Sequence, residues 1–257
     1  MWHDTLTAAT IEDALEALQK HGDKARIIAG ATDLILEMER GVRKGIDLLI
    51  DVSRIPEQDK ISLDEDGVIH LGPLVTHNQV AASKLIQEVA FPLARASWEV
   101  GSPQIRNRGT IAGNLITASP ANDTITPLMA LGASITLRSA SATRTVPLDQ
   151  FYLGVRKVVM QPEEMLVDIS FPALKPNQHG TFVKFALRRA QAISLTNVAV
   201  VLTMDGDTVR SAAITRCGAS VSARTCSTVD AGMAYGGMMR LRSDTMSSPA
   251  TSVPRRA

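Results

Sequence analysis

The chain has 257 residues, enough for one large domain or two small ones with a sizeable buried core. Apolar residues make up 45% and charged residues 21% of the chain, which excludes a disordered polymer, and a content of two cysteines excludes a disulfide-stapled miniprotein. The 27 basic residues nearly cancel the 26 acidic ones and aromatic residues amount to 4%, so nucleic acid is not an expected partner.

The sequence carries no signal for a membrane or for export. No apolar run approaches the roughly 18 residues of a membrane span, and the first residues lack the basic and apolar stretches of a secretory signal. We therefore expect a cytoplasmic protein without a membrane span. Cys217 and Cys226 form neither a CxxC pair nor part of a four-cysteine cluster, so an iron–sulfur cluster held by this chain alone is not expected.

The first fifth of the chain has the pattern of an α/β unit. Apolar residues at helical spacing predict an amphipathic helix between a Thr10 cap and a Gly22 stop. Apolar runs predict buried strands at residues 25–29 and 47–52. A turn at residues 30–33 and a helix ending near Gly41 lie between these strands.

The next hundred residues predict a second α/β lobe. A hairpin is expected at residues 61–71 around Asp66-Gly67, followed by a helical stretch from Thr76 to Val100. Its expected inward positions are Val80, Leu85, Val89, Leu93 and Ala96. Residues 101–123 contain so many turn-forming residues that we expect an anchored functional loop there. Strands at 133–138 and 143–146 complete the lobe.

The last third of the chain predicts a small antiparallel sheet, which is followed by a segment of different amino-acid composition. The expected strands are residues 164–171, residues 180–185 and a hairpin of residues 197–204 and 209–214. Residues 216–257 contain one Leu and no Ile, Phe, Glu or Lys, so we expect a poorly ordered tail.

Common catalytic motifs are missing from the sequence. We find no phosphate-binding P-loop, no G-x-G-x-x-G and no H-E-x-x-H motif, and the five histidines have no metal-ligand spacing. These histidines are best interpreted as surface or hairpin residues. His77 is a partial exception, because it lies at a predicted strand-to-helix turn where its side chain could line the mouth of a pocket.

Two turns carry the functional signal. In residues 28–34, a strand runs into small residues that let backbone N–H groups converge on an anion such as a diphosphate, and Thr32 adds a hydroxyl. An ordinary strand-to-helix connection is the alternative. In the second turn, Gly109 and Gly113 permit close approach of a ligand to the backbone. The same segment contains three residues that can hydrogen-bond a nucleotide: Thr110, Asn114 and Asp123. A purely structural loop is the alternative there.

Both turns resemble motifs of one family. Ala29-Gly-Ala-Thr-Asp33 and Thr110-Ile-Ala-Gly-Asn114, the latter followed by Ala118-Ser-Pro-Ala-Asn-Asp123, are similar to the two flavin motifs of the FAD-binding (medium) subunit of molybdenum hydroxylases. This family includes enzymes of the carbon monoxide dehydrogenase and xanthine dehydrogenase type. The resemblance spans about residues 2–214.

The resemblance implies an α+β fold in three parts. Residues 1–175 would form a two-lobed FAD-binding domain of the vanillyl-alcohol-oxidase (PCMH) type, and residues 176–215 part of a small α+β C-terminal domain. That domain would be truncated or altered at its end, because residues 216–257 do not resemble the family's continuation. The abrupt composition break suggests an altered or out-of-frame end.

The resemblance also assigns FAD-binding positions and no catalytic residue. Those positions are Ile28, Ala29, Gly30, Ala31, Thr32, Asp33, Leu34, Val100, Thr110, Ile111, Ala112, Gly113, Asn114, Asp123, Leu166 and Lys184. Lys184, ahead of Arg188-Arg189, would stabilise negative charge on reduced flavin. Ala31 and Ala112 stand where the family often has Gly, so the backbone should avoid positive φ there or the phosphates should lie further out.

The implied function is that of an electron-transfer subunit. Electrons would come from a molybdenum cofactor on a large subunit, through [2Fe–2S] clusters on a small subunit, to FAD on this chain and then to a terminal acceptor. A dimer of heterotrimers is the implied assembly. Two alternatives stay open: a self-sufficient flavin oxidoreductase of the same fold, and a flavin-free assembly or remnant protein.

Overall fold

Three main β-sheets organise the chain. The computed structural model describes residues 2–188 and 190–218 together with the backbone of residues 227–230. Over these residues the chain also forms a two-stranded hairpin and eight α-helices. None of the described helices has the length and apolarity needed to cross a membrane.

The first lobe is a parallel three-stranded sheet with a helix packed on it. Its elements are β1 Asp4–Thr7, α1 Ile11–His21, β2 Ala25–Ile28, α2 Leu34–Glu39 and β3 Leu48–Asp51. The strand order is β1-β3-β2. Thr10 and Asp13 cap each other's backbone at the start of α1, and Leu15 and Leu18 bury its apolar face in the core. The predicted α/β unit is confirmed, and β1 is a strand that the sequence analysis missed.

The second lobe is an antiparallel five-stranded sheet in the order β4-β5-β10-β6-β7. Its strands are β4 Ile61–Leu63, β5 Val68–Leu71, β6 Ser134–Arg138, β7 Thr143–Pro147 and β10 Met165–Pro172, with a separate hairpin of β8 Tyr152–Gly154 and β9 Lys157–Val158. We predicted residues 164–171 as part of the small third sheet, and this is wrong, because β10 pairs with β5 and β6. Met165 lies in the core of the first lobe and Leu166 in that of the second, so this strand joins the lobes.

The helical stretch from Thr76 to Val100 is divided into three helices. They are α3 His77–Ala82, α4 Lys84–Val89 and α5 Phe91–Glu99. Ser83 ends α3 and caps α4, and Ala90 separates α4 from α5. The break shifts the inward position in α4 from the predicted Leu85 to Ile86, which is fully buried.

The expected loop at residues 101–123 is wrong over most of its length. It contains the helices α6 Pro103–Arg108 and α7 Ile111–Thr117, and α8 Ile125–Ala130 follows. Ser102 accepts a hydrogen bond from the backbone N–H of Ile105, and Thr110 accepts one from that of Gly113. Buried Ile111 and Leu115 anchor α7 in the core, which offsets the weak helix propensity of its Gly and Asn residues.

The third sheet is antiparallel, in the order β11-β12-β13-β14. Its strands are β11 Gln178–Ala186, β12 Ser194–Asp205, β13 Thr208–Gly218 and β14 Ser227–Asp230. Phe182, Ala199 and Val201 join the core of the second lobe. The predicted tail begins at residue 216, yet residues 216–218 continue β13. Residues 219–226 and 231–257 of that tail lie outside the described residues.

His70 on β5 makes folding stability depend on pH. Its Nδ1 lies 2.9 Å from Asp168 on β10 and its Nε2 lies 3.3 Å from Asp64. The hydrogen bond to Asp168, opposed by burial, raises the pKa of His70 above its ordinary value. A raised pKa in the folded state gives stability that is complete below about pH 6.5 and is lost as pH rises through the folded value.

We therefore expect His70→Gln to destabilise the protein at pH 5.5 and to have a smaller effect at pH 8.5. Urea midpoints of the variant and the wild type at both pH values measure this difference. The matched control is His179→Gln, at an exposed position on β11. An equal loss of stability at both pH values would show that the two carboxylates do not favour protonated His70.

Candidate functional site

The two small-residue turns meet in the structure. Gly30 lies so close to the end of α6 that a Cβ placed on it would be 1.8 Å from the carbonyl oxygen of Arg108. A Cβ on Gly109 would lie 3.6 Å from Thr32 Oγ1 and 3.3 Å from His77 Cδ2. The backbones of residues about 80 apart in sequence therefore touch, and glycine at position 30 is required for that approach.

Backbone hydrogen bonds fix the second turn next to α3. Thr110 forms an isolated antiparallel bridge with Thr76, Ile111 N–H donates to Val75 O at 2.9 Å, and His77 N–H donates to Gly109 O at 3.1 Å. Thr76 also caps α3, so one short segment positions both the start of that helix and the turn. This arrangement holds residues 109–114 rigidly against the first turn.

A cavity of about 540 Å³ opens where the turns meet, a size typical of small-molecule sites. Its walls include residues from both turns and from β10: Ile28, Ala29, Gly30, Ala31, Thr32, Asp33, Leu34, Thr110, Ala112, Gly113, Asn114 and Leu166. Ile111 lies behind this wall and is fully buried in the core of the second lobe. We call this space the turn cavity.

Charged side chains line the turn cavity. Glu37 of α2 accepts a hydrogen bond from Arg43 at 2.6 Å and a second one from Arg156, between β8 and β9. Although burial opposes it, these two guanidinium groups hold the pKa of Glu37 below its ordinary value. Arg26 and Lys157 add positive charge to the wall, so the cavity can accommodate an anion.

Arg26, Arg43 and Arg156 are site residues that the sequence analysis missed. The sequence does contain an indication for Arg26, because this charged residue interrupts the otherwise apolar strand of residues 25–29. The positions of Arg43 and Arg156 depend on how distant segments pack around α2, and no local pattern marks them.

His77 lines the turn cavity, as the interpretation of the Leu74–Asn78 turn suggested. Its side chain is 2% exposed, and its Nδ1 has no hydrogen-bond partner among the described residues. Burial, together with the charge of Arg106, lowers the pKa of His77 to about 4. The imidazole is therefore neutral at physiological pH.

Val100, Asp123 and Lys184 do not line the turn cavity, and of the three only Lys184 lines a second cavity of about 790 Å³. Lys184 lines it and donates hydrogen bonds to Asp123 Oδ2 at 2.6 Å and to Glu99 O at 3.1 Å. Asp123 also accepts a hydrogen bond from Ser194 Oγ at 2.5 Å. Burial raises the pKa of Asp123, and Lys184 and Ser194 oppose that rise. Arg106 donates to Val100 O at 3.2 Å and also lines this second cavity.

The two alanines in the flavin-like motifs differ in backbone conformation. Ala31 has a φ of 61°, so the first of the two expectations, that the backbone avoids positive φ there, is wrong, and the second, that the phosphates lie further out, stays a prediction. The turn keeps the left-handed conformation because the contact between Gly30 and Arg108 fixes its path. Ala112 lies inside α7, where the backbone is helical and alanine carries no such strain.

We expect Ala31→Gly to stabilise the protein by about 1 kcal/mol, because glycine adopts positive φ without the steric cost of a Cβ. Ala112→Gly is the matched control and should destabilise by about 1 kcal/mol, since it weakens a helix. Urea denaturation of both variants without ligand measures the two effects. Changes of the same sign in both variants would contradict the assignment of strain to Ala31.

Comparison with known proteins gives the family to which this fold belongs. A family model described as "FAD binding domain in molybdopterin dehydrogenase" matches residues 3–174. The chain belongs to this family, whose domain binds FAD. The two-lobed α+β fold of the PCMH type, followed by a smaller domain, is thereby confirmed.

Individual relatives agree with this assignment. The chain is similar to the nicotinate dehydrogenase FAD-subunit of Eubacterium barkeri, with 33% identity over 76% of this chain and 67% of the relative. It is also similar to the carbon monoxide dehydrogenase medium chain of Hydrogenophaga pseudoflava, with 30% identity over 78% and 69% of the two chains.

Solved structures show the same likeness. A carbon monoxide dehydrogenase structure from Hydrogenophaga pseudoflava matches with a TM-score of 0.82 and 26% identity, over 90% of this chain and 77% of that one. The reconstituted enzyme from Oligotropha carboxidovorans matches with a TM-score of 0.79 and 27% identity, over 84% and 74%.

Proposed function

We propose that this chain binds FAD in the turn cavity and is the electron-transfer subunit of a molybdenum-containing hydroxylase or dehydrogenase. The observation that carries the proposal is the meeting of the two flavin-like turns, at Gly30 and Arg108, beside one cavity. Membership of a family defined by FAD binding supports the choice of ligand.

The residues of the turn cavity fit an FAD molecule. Gly30 and Gly113 line the cavity without side chains, which leaves their backbone accessible to a ligand. Thr110 Oγ1 accepts from Gly113 N–H, which leaves its own O–H as a donor. Asn114 Oδ1 accepts from Thr124, and its amide N–H₂ forms no hydrogen bond within the described part of the chain. These donors suit phosphate and hydroxyl oxygens.

The chain's own contribution is binding, orientation and electrostatics. Bound FAD would supply the redox chemistry, accepting electrons and releasing them to a terminal acceptor. Arg26 and Lys157 would balance the negative charge of a diphosphate. Leu166 would contribute an apolar wall that excludes water. We assign no acid, base or nucleophile to this chain.

We propose a positioning role for the residues at the second cavity. Asp123 holds the Lys184 ammonium in place, and Arg106 holds the carbonyl of Val100. In this proposal Lys184 and Arg106 supply positive charge near the flavin ring, where such charge favours a reduced, anionic ring.

The proposed partners are a large subunit with the molybdenum cofactor and a small subunit with [2Fe–2S] clusters, arranged as a dimer of heterotrimers in the cytoplasm. Relatives named as medium chains, or as an FAD-subunit, support a role as one component of a complex. This chain offers no group of three or more metal-ligating side chains among its described residues, so such a centre is proposed on another chain.

The test begins with the purified chain. We expect a yellow protein or an apoprotein whose tryptophan fluorescence changes on titration with FAD. Gly113→Leu should abolish binding, because it adds a large side chain at an exposed helical position that lines the turn cavity. The control Leu63→Ala, on the exposed edge strand β4, should bind FAD like the wild type. Equal FAD binding by Gly113→Leu would contradict the placement of the cofactor.

Co-purification tests the electron-transfer role. When the chain is expressed with its genomic neighbours, we expect iron and molybdenum to co-purify with it and FAD to be reduced through them. Substrate turnover by the isolated chain would instead support a self-sufficient flavin oxidoreductase. If neither the chain nor any complex that contains it binds FAD, the remaining interpretation is a flavin-free assembly or remnant protein.

A further inference from the structure

The segment around α2 is attached to the rest of the molecule by few interactions. We define the α2 segment as residues 31–45. None of these residues is buried or belongs to either hydrophobic core of the described chain, whereas Ile46, the next residue, is buried. On the other side, the backbone of Gly30 touches that of Arg108. The α2 segment is therefore an unburied stretch between two fixed positions.

One ion pair joins the α2 segment to the second lobe. Glu37 accepts a hydrogen bond from Arg156, which lies between β8 and β9 and whose backbone N–H donates to Ala118 O at 2.9 Å. Over the part of the chain that the structure describes, no other hydrogen bond or ion pair connects the segment to residues outside it. Arg156 thus links α2, which follows the first turn, to the end of α7, which follows the second.

Glu37 also holds the α2 segment together internally. Its carboxylate accepts from Arg43 Nε at 2.6 Å, and its backbone carbonyl accepts from Val42 N–H at 2.8 Å. Ala31 and Gly45, at the two ends of the segment, have φ values of 61° and 75°. A segment that is cross-linked within itself and joined to its surroundings by one ion pair can move as a unit about its ends.

The α2 segment forms part of the wall of the turn cavity. Glu37, Arg43 and Arg156 all line the cavity, and the side chain of Arg156 is 53% exposed, so the ion pair lies at the solvent-exposed edge. Burial and the charge of Arg43 lower the pKa of Arg26, which lies across the cavity wall on β2. Repulsion between these two guanidinium groups opposes closure of the segment, and a bound anion offsets that repulsion.

We propose that the α2 segment is a lid over the turn cavity, latched to the second lobe by the ion pair between Glu37 and Arg156. Opening of the lid admits FAD and releases it. The negative charge of the diphosphate favours the closed lid, because it offsets the repulsion between Arg26 and Arg43. This inference rests on the proposed function, since it requires FAD in the turn cavity.

The rates of FAD exchange distinguish a latch from a direct contact with the cofactor. Arg156→Gln removes the ion pair at a half-exposed position. A lid that opens more often takes up and releases FAD faster, so we expect both rate constants to rise about threefold to fivefold. Loss of a direct contact would instead speed release and, with one positive charge removed, slow uptake. Stopped-flow fluorescence measures both rates.

Two control variants test the charge and the location of the ion pair. Arg156→Lys keeps the positive charge and should exchange FAD within about twofold of the wild type. Arg138→Gln removes the ion pair of Arg138 on β6 with Glu12 on α1, which also joins the two lobes but lines neither cavity. It should exchange FAD like the wild type.

Limited proteolysis with trypsin follows the lid without relying on FAD. Arg40 and Lys44 are exposed residues of the α2 segment, and cleavage after them requires the segment to leave its folded position. We expect the apoprotein of Arg156→Gln to be cut at these sites about threefold faster than the wild type. FAD should slow this cleavage in both proteins.

Each measurement has an outcome that contradicts the proposal. Unchanged cleavage of the Arg156→Gln apoprotein, uptake of FAD by this variant no faster than by the wild type, or equal acceleration in Arg138→Gln would overturn the latch. Bound FAD that leaves cleavage at Arg40 and Lys44 unchanged would overturn the lid. Failure of the wild type to bind FAD would overturn the proposed function and the role of the lid in FAD exchange, whereas the apoprotein cleavage rates would still decide the latch.

Discussion

Gly30→Ala should abolish FAD binding and destabilise the folded protein by about 3 kcal/mol. The reason is geometric: the added Cβ would lie 1.8 Å from Arg108 O and 2.5 Å from Arg108 C. Both atoms belong to the backbone, so no side-chain rotation can relieve the overlap. The first turn must move away from α6, and the two walls of the turn cavity then separate.

The matched control for this prediction is Gly154→Ala on β8. Its added Cβ would have no atom within 4 Å, and its backbone has ordinary φ. We expect it to be neutral or to stabilise by less than about 1 kcal/mol, through the lower entropy of the unfolded chain. Urea denaturation gives both stabilities, and FAD fluorescence gives both affinities. Wild-type affinity in Gly30→Ala would mean that the cofactor does not depend on the meeting of the turns.

Lys184→Met should destabilise the protein by about 3 kcal/mol or more, because it leaves the carboxylate of Asp123 buried without its counter-charge. Both side chains of the pair are less than a tenth exposed. The double variant Lys184→Met with Asp123→Leu removes both charges and should recover most of the loss. A double-mutant cycle by urea denaturation measures the coupling between the two residues.

The pH dependence of Lys184→Met provides a second check. Burial already raises the pKa of Asp123, and removal of the ammonium raises it further. When folding raises the pKa of an acid, ionisation of that acid destabilises the folded state. The loss of stability is smallest at a pH where the acid is protonated in both the folded and the unfolded state. The deficit of the variant should therefore be smallest below about pH 4 and grow as pH rises through the folded pKa of Asp123. A pH-independent deficit would mean that lost packing, and not the unpaired charge, causes the destabilisation.

Local signals were sufficient for α1, β2 and β3 of the first lobe, although they missed β1, and they were insufficient for the strand pairing that followed. The helix α1 has a cap, a stop and a regular apolar face, and all of these are encoded within a few residues. In contrast, β10 begins with an apolar run and continues with alternating polar and apolar residues, so its pattern predicts a strand without indicating its neighbours. Its partners β5 and β6 come from segments that are far away in sequence.

The error at residues 101–123 has a different cause. Ser102-Pro103 and Thr110 are ordinary helix-start signals, but α6 and α7 are so short that turn-forming residues dominate their composition. Tertiary burial of Ile111 and Leu115 supplies the stability that helix propensity does not. The association of Gly109 and Gly113 with close approach of a ligand stays a prediction, whereas the helical backbone of this segment was missed.

The site shows the same division between local and long-range information. Family resemblance and small-residue composition identified both turns, and the structure brings them together. Composition could not reveal that Ala31 tolerates a left-handed backbone, or that Lys184 and Asp123 pair at 2.6 Å behind a separate cavity. The interpretation of His77 as a possible pocket residue agrees with its position, yet only the packing around α3 leaves Nδ1 without a partner.

The contact between Gly30 and Arg108 also has a kinetic consequence. It joins segments that are distant along the chain, and such contacts form only after slow closure of a long stretch of polypeptide. A ligand that must contact residues on both sides of this junction can bind only to molecules that are already close to the native structure. FAD in solution should therefore leave the refolding rate almost unchanged while it slows unfolding, so that the lifetime of the loaded protein increases.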